Sequence, residues 1–130
     1  MNRPMSSKSS IALNAALTWL ALIVNPATLA AHAYPAVSIP NNGATVKESP
    51  REVRIQFTEG VEIDFSQIIV KGPKGDIVSD GKLRQLASDT LAIDVKPLRA
   101  GLYSVEWQVL SVDTHITDGT LRFTVALPVK

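Results

Sequence analysis

From residue 32 onward the apolar positions recur at every second residue, and no long stretch shows helical spacing. Val53, Ile55 and Phe57 alternate with Arg54 and Gln56, the period-two pattern of a strand with one dry and one wet face. Tyr103, Val105, Trp107 and Val109 alternate with Ser104, Glu106 and Gln108 and give the clearest strand of the chain. Leu121, Phe123 and Val125, set against Arg122 and Thr124, close the pattern. A short β-branched run over residues 67–71 is halted by Gly72-Pro73-Lys74-Gly75-Asp76, a strong turn signal. Ile77-Val78, residues 83–86 and the set Leu91, Ile93, Val95 predict further short strands. About seven short strands with frequent turns predict one all-β domain, a small Greek-key barrel or sandwich. Trp107 falls on an alternating position and reads as core. The approach to Tyr103 through Pro97 and Gly101 fits a tyrosine corner, in which the phenol hydroxyl pins a crossing loop. A tyrosine simply buried in a strand fits equally well.

The first thirty-one residues follow a different rule. Arg3 and Lys8 give a basic start, Ile11 to Val24 is apolar except for Asn14 and Thr18, and Pro26 with small residues follows. That is the pattern of a secretory leader, and its apolar run is shorter than the roughly 18 to 20 residues of a membrane span. The expectation is a cleavable signal peptide over residues 1–31 and a single domain over 32–130. The processed chain would then carry no membrane span. Thr28-Leu29-Ala30-Ala31 directs a cut that makes His32 the first residue. Cuts after Ala30 or Ala33 also satisfy the small-residue rule, and either would remove His32 from the new terminus.

Processing changes the charge. Arg3 and Lys8 leave, so thirteen basic residues become eleven against twelve acids, a formal balance of −1. Near-neutrality without a basic run argues against a nucleic acid partner. The chain has no cysteine, so it holds neither a disulfide framework nor a thiolate metal site. A small exported domain without disulfides fits the periplasm of a Gram-negative cell.

The chemistry lies in two histidines, His32 and His115. An N-terminal histidine offers a metal its α-amine and its ring in one chelate. Asp113 and His115, in Ser111-Val112-Asp113-Thr114-His115, add a carboxylate and a second imidazole. Three nitrogens and one oxygen suit a tetragonal copper(II) ion. The only methionines, Met1 and Met5, leave with the leader, so nothing soft remains for copper(I). Taken alone, Asp113-Thr114-His115 also reads as a solvated turn tightened by its aspartate.

These residues resemble a known family. His32 after the leader, the segment Phe57-Thr58-Glu59-Gly60, the run Gly101-Leu102-Tyr103-Ser104-Val105-Glu106-Trp107, and Ser111-Val112-Asp113-Thr114-His115 followed by Gly119 are similar to the CopC family of periplasmic copper-resistance proteins. So is the closing Phe123-Thr124-Val125. The resemblance implies an immunoglobulin-like Greek-key barrel and a copper(II) site made by His32, Asp113 and His115. It implies that Glu59 supports the ligands by hydrogen bonding. It further implies capture and buffering of copper(II), with delivery to a CopD-type inner-membrane partner. Three departures stand out: there is no methionine-rich loop, Tyr34 replaces the second histidine of an H-x-H start, and Ile116 replaces a proline. Two other readings of the residues stay open. One is a histidine-brace enzyme like the copper-dependent polysaccharide monooxygenases, although Asp113 would fill a position that oxygen chemistry needs open. The other is a metal-free immunoglobulin-like interaction module.

Overall fold

A computed structural model describes residues 2–4 and 32–129 of the chain; nearly all of the stretch 1–31, and with it the signal-peptide expectation, lies outside the described residues. Eight strands follow in order: β1 (Pro35–Ile39), β2 (Thr45–Val46), β3 (Glu52–Phe57), β4 (Val61–Lys71), β5 (Ser79–Ala87), β6 (Thr90–Val95), β7 (Gly101–Ser111) and β8 (Ile116–Val125). They form two four-stranded sheets, ordered β1-β3-β6-β5 and β2-β8-β7-β4. All pairs are antiparallel except β2 with β8. The chain changes sheet at every step from β1 to β5 and again between β6 and β7. Spatial neighbours are thereby separated in sequence, in the manner of a Greek key.

The alternating patterns turn into burial as expected. In β3, Val53, Ile55 and Phe57 are buried while Arg54 and Gln56 face water. In β7, Tyr103, Val105, Trp107 and Val109 are buried, and β8 adds Phe123 and Val125. Each large apolar side chain removed from water in this way contributes about 1.5–3 kcal/mol. Between the sheets Phe57 meets Trp107 edge-on, with ring centroids 5.6 Å apart; within the second sheet Tyr103 stacks on its cross-strand neighbour Phe123 at 5.5 Å. The Tyr103 hydroxyl donates to the Arg99 carbonyl at 2.7 Å, which realises the tyrosine corner.

The strand inventory differs from the sequence reading in three places. Eight strands replace about seven, because β1 and β2 carry no readable alternation. Ile77-Val78 is not a strand: Ile77 makes an isolated bridge to Lys71, and Val78 N–H donates to the Val70 carbonyl. The run at 67–71 is the end of the longer β4, whose pairing with β7 is interrupted between Glu62 and Gln67. Ser66 Oγ bridges that bulge, donating to the Glu62 carbonyl at 2.7 Å and accepting from Leu110 N–H at 3.3 Å.

Candidate metal centre

β7 and β8 form a hairpin whose closing turn, residues 112–115, lies at one end of the sandwich. Ser111 ends β7 fully buried, and its position governs the turn. Its N–H donates to the His115 carbonyl at 2.9 Å, and its carbonyl accepts from Thr114 N–H at 2.9 Å. Its hydroxyl donates to Asp113 Oδ1 and lies within hydrogen-bond reach of both the N–H and the carbonyl of His115. Closing so tight a turn places Thr114 at φ 72°, a left-handed conformation that a β-branched residue rarely adopts. Asp113 and His115, two positions apart, are thereby turned together, with His115 Nδ1 3.4 Å from Asp113 Oδ1. The Ser111 hydroxyl, and after it the His115 ring, hold the Asp113 carboxyl below its ordinary value, so it is a carboxylate at neutral pH.

His32 reaches the same end from the other sheet. Its segment leads into β1 and is held by two threonines. Thr58 Oγ1 donates to the His32 carbonyl at 3.3 Å and accepts from Tyr34 N–H at 3.0 Å, while Thr58 N–H donates to the Tyr34 carbonyl. Thr117 on β8, itself buried, donates to the Ala33 carbonyl at 2.6 Å. Ala33 is wholly buried between these anchors. The outcome is that the rings of His32 and His115, eighty-three positions apart in the chain, sit with centroids 4.7 Å apart at an angle of 66°. Both side chains remain open to water.

Of the four residues singled out from the sequence, three come together: the imidazoles face one another and the carboxylate lies against one of them. Glu59 sits half-buried in the turn between β3 and β4. That turn abuts the histidine turn through Val112 N–H to the Gly60 carbonyl at 3.0 Å. Among the described residues no hydrogen bond links the Glu59 carboxylate to His32, Asp113 or His115. No three His, Cys, Asp or Glu side chains of the described residues converge as a complete metal-binding group. The side chains therefore offer only a partial set, two imidazoles and a carboxylate. Thr58, Ser111 and Thr117 escaped the sequence reading. Ser111 had a signal, since it opens the motif that contains both ligand candidates.

The surroundings favour a cation. Glu59, Glu62, Asp64, Asp89 and Asp113 belong to the segments at this end, namely residues 32–35, 57–66, 87–90 and 111–116, which hold no lysine or arginine. Among the described residues no helix is long and apolar enough to cross a membrane.

The profile of the CopC domain matches residues 36–126 of the chain. The copper transport protein CutJ of Bacillus subtilis is 34% identical over 110 residues, which span 82% of this chain but 20% of CutJ. Copper resistance protein C of Escherichia coli is 30% identical over 125 residues, covering 87% of this chain and 97% of that one. The crystal structure of CopC from Methylosinus trichosporium OB3b superposes with a TM-score of 0.71 at 31% identity, covering 76% of this chain and 98% of that chain.

Proposed function

Since the chain belongs to the CopC family, we propose that it is a periplasmic copper(II)-binding protein that captures the ion and buffers or delivers it. In this reading a leader cut after Ala31 frees the α-nitrogen of His32. The amine and ring of His32, the ring of His115 and the carboxylate of Asp113 then complete the partial set. A free α-amine has a reference pKa near 8, so a metal displaces its proton at neutral pH at small cost. The observation that carries the reading is the approach of the two histidine rings to 4.7 Å from opposite sheets. Nothing in the packing of a surface turn requires that approach.

The oxidation state follows from the donors. Residues 32–130 contain neither methionine nor cysteine, whereas imidazole, amine and carboxylate donors suit copper(II). Glu59 acts, on this proposal, from the neighbouring turn, hydrogen-bonding through water or to the ligands once the ion is bound. The protein works by binding, not by turnover, because Asp113 fills a position that oxygen chemistry at a histidine brace would need open. Delivery to a CopD-type inner-membrane protein is supported by CutJ, in which the matched segment is one part of a much longer copper transport protein.

The test is intact mass of the exported protein, followed by copper(II) titration with electron paramagnetic resonance. A mature terminus at His32, with a nitrogen-rich copper spectrum that changes in Asp113→Ala and His115→Ala, is the expected result. Another terminus, or spectra unchanged in both variants, contradicts the assignment.

A further inference from the structure

β7 runs the length of the sandwich, so its two ends define two poles. The histidine pole is the acidic one described above. The far pole gathers residues 45–51, 71–79, 95–101 and 124–129, joined by the pairs Ser79 with Val95 and Gly101 with Val125 and by Leu98 N–H donating to Ser49 Oγ. It carries Lys47, Arg51, Lys71, Lys74, Lys96 and Arg99 against Glu48 and Asp76. Lys71 is paired with Glu106 at 2.9 Å. The other five cations are exposed and enter no ion pair among the described residues. A chain with a near-zero overall balance thus holds its charge as a dipole along its long axis.

The far pole is also aliphatic. Ile77, Leu102, Leu127 and Val129 are 58%, 54%, 41% and 98% exposed there with no exposed aromatic among them, whereas the histidine pole exposes Val112 and Ile116 together with the aromatic residues Tyr34 and Phe65. Single-stranded nucleic acid is bound by cations interleaved with stacking aromatics. A lipid headgroup layer is bound by cations interleaved with aliphatic side chains that sink past the phosphates. The pole also holds a cleft of about 530 Å³, rimmed by three cations, Lys74, Lys96 and Arg99, against one acid, Asp76, and floored by buried Val78, Leu98 and Tyr103. Its walls are fixed: Lys96 N–H donates to the Val78 carbonyl at 2.9 Å, and the tyrosine corner holds Arg99. Pro73 packs so closely on Gly101 that a Cβ there would lie 2.5 Å from its Cγ.

From this arrangement we infer that the far pole docks on an anionic phospholipid surface, with a headgroup phosphate seated in the cleft. The acidic histidine pole is repelled by the same surface. The docked molecule therefore stands with His32 and His115 turned away from the bilayer, open to the aqueous phase. The inference does not depend on which metal the histidines bind.

Vesicle sedimentation tests it, using protein whose N-terminus has been fixed by intact mass and reading every variant as a ratio to the parent. Vesicles containing phosphatidylglycerol should bind the protein at least about tenfold more tightly than phosphatidylcholine alone at low salt. The binding should vanish near 1 M salt, where charges are screened beyond about 3 Å. Lys96→Gln and Arg99→Gln should each weaken it about fivefold, and Ile77→Ser should weaken it further. Arg84→Gln, which alters a paired guanidinium on a sheet face, should leave it unchanged. Both cleft substitutions are exposed, and Arg99 enters the tyrosine corner through its backbone carbonyl, so the fold is retained. Equal binding to both vesicle types would overturn the inference. So would undiminished binding by the Lys96 and Arg99 variants, displacement by inorganic phosphate alone, or equal competition by duplex DNA.

Discussion

Ser111 shows how much of the candidate site rests on one small side chain. It is fully buried, and its hydroxyl serves Asp113 and the backbone of His115 at once. Ser111→Ala should cost about 1–3 kcal/mol, the penalty for leaving buried polar partners unsatisfied. It should also let the Asp113 pKa rise toward its ordinary value, which carboxylate NMR would detect, and weaken copper(II) binding by about 10- to 100-fold. Unchanged Asp113 titration in that variant would show that the hydroxyl is not the cause of the shift. Thr114, at φ 72°, makes the opposite case. Glycine adopts that conformation without steric cost, so Thr114→Gly should be neutral or stabilising by about 1 kcal/mol despite the entropy glycine adds to the unfolded chain. A clear loss of Tm would refute that strain. Because the folded-state pKa of Asp113 is lowered, its stabilisation is present above the ordinary carboxylate range and is lost as pH falls through the lowered value. Glu52, held down by Arg54 and then Arg84, and Asp89, held down by Thr90 and then Gln56, follow the same sign. An acid-unfolding series should therefore show stability falling progressively as pH drops below about 5.

At the scale of elements, the contacts that matter are those that tie one strand's end to another's. Thr117 on β8 holds the Ala33 carbonyl ahead of β1, and Thr58 beyond β3 holds His32 and Tyr34. Thr117→Val keeps the shape and removes the bond, so it should loosen the approach of His32 and cost about 1–3 kcal/mol. A crystal structure of the variant with the two rings still at their original separation would refute that role. Gly119 faces Trp107, and a Cβ there would lie 2.8 Å from the indole ring. Gly119→Ala should therefore destabilise by about 1–3 kcal/mol through overpacking and alter the near-ultraviolet circular dichroism of Trp107. Across the outer face of the first sheet, Arg84 reaches Glu52 at 2.6 Å and Asp94 at 2.7 Å. Arg84→Gln should raise the Glu52 titration midpoint while Tm moves little, as exposed ion pairs contribute weakly.

These elements also explain what the sequence disclosed. β3 and β7 were legible because each has one buried and one wet face, which alternation reports directly. β1 was not, since it exposes Val37 and Ile39 and buries Ser38, the reverse of the usual sign. β2 has two residues, too few for any period, and the β4 bulge puts Phe65 into solvent where alternation would bury a neighbour. The grouping of His32, Asp113 and His115 as candidates was legible because histidine is scarce in this chain and the expected leader cut points to one of them. Thr58 and Thr117 were not: a threonine near or within a strand looks like any β-former until its partner across the fold is known.

The whole molecule combines a rigid aromatic core with a dipolar surface. The acidic pole favours approach of a cation to the histidines, an attraction that salt screens, so the copper(II) association rate should fall as ionic strength rises. Bound copper should stabilise the fold by mass action, about 2.7 kcal/mol at a hundredfold excess over Kd, seen as a rise in Tm that chelators reverse. Both effects rest on the α-nitrogen of His32 being a free amine beside the ring of His115. The most direct measurement compares copper(II) affinity of the processed chain with that of the same chain acetylated at the α-amine of His32, the mature terminus of each confirmed by mass. Acetylation removes the amine donor while the His32 ring and every other contact remain. Affinity should then fall by at least about a hundredfold, or roughly 2.7 kcal/mol. Equal affinity in the two chains would contradict the account.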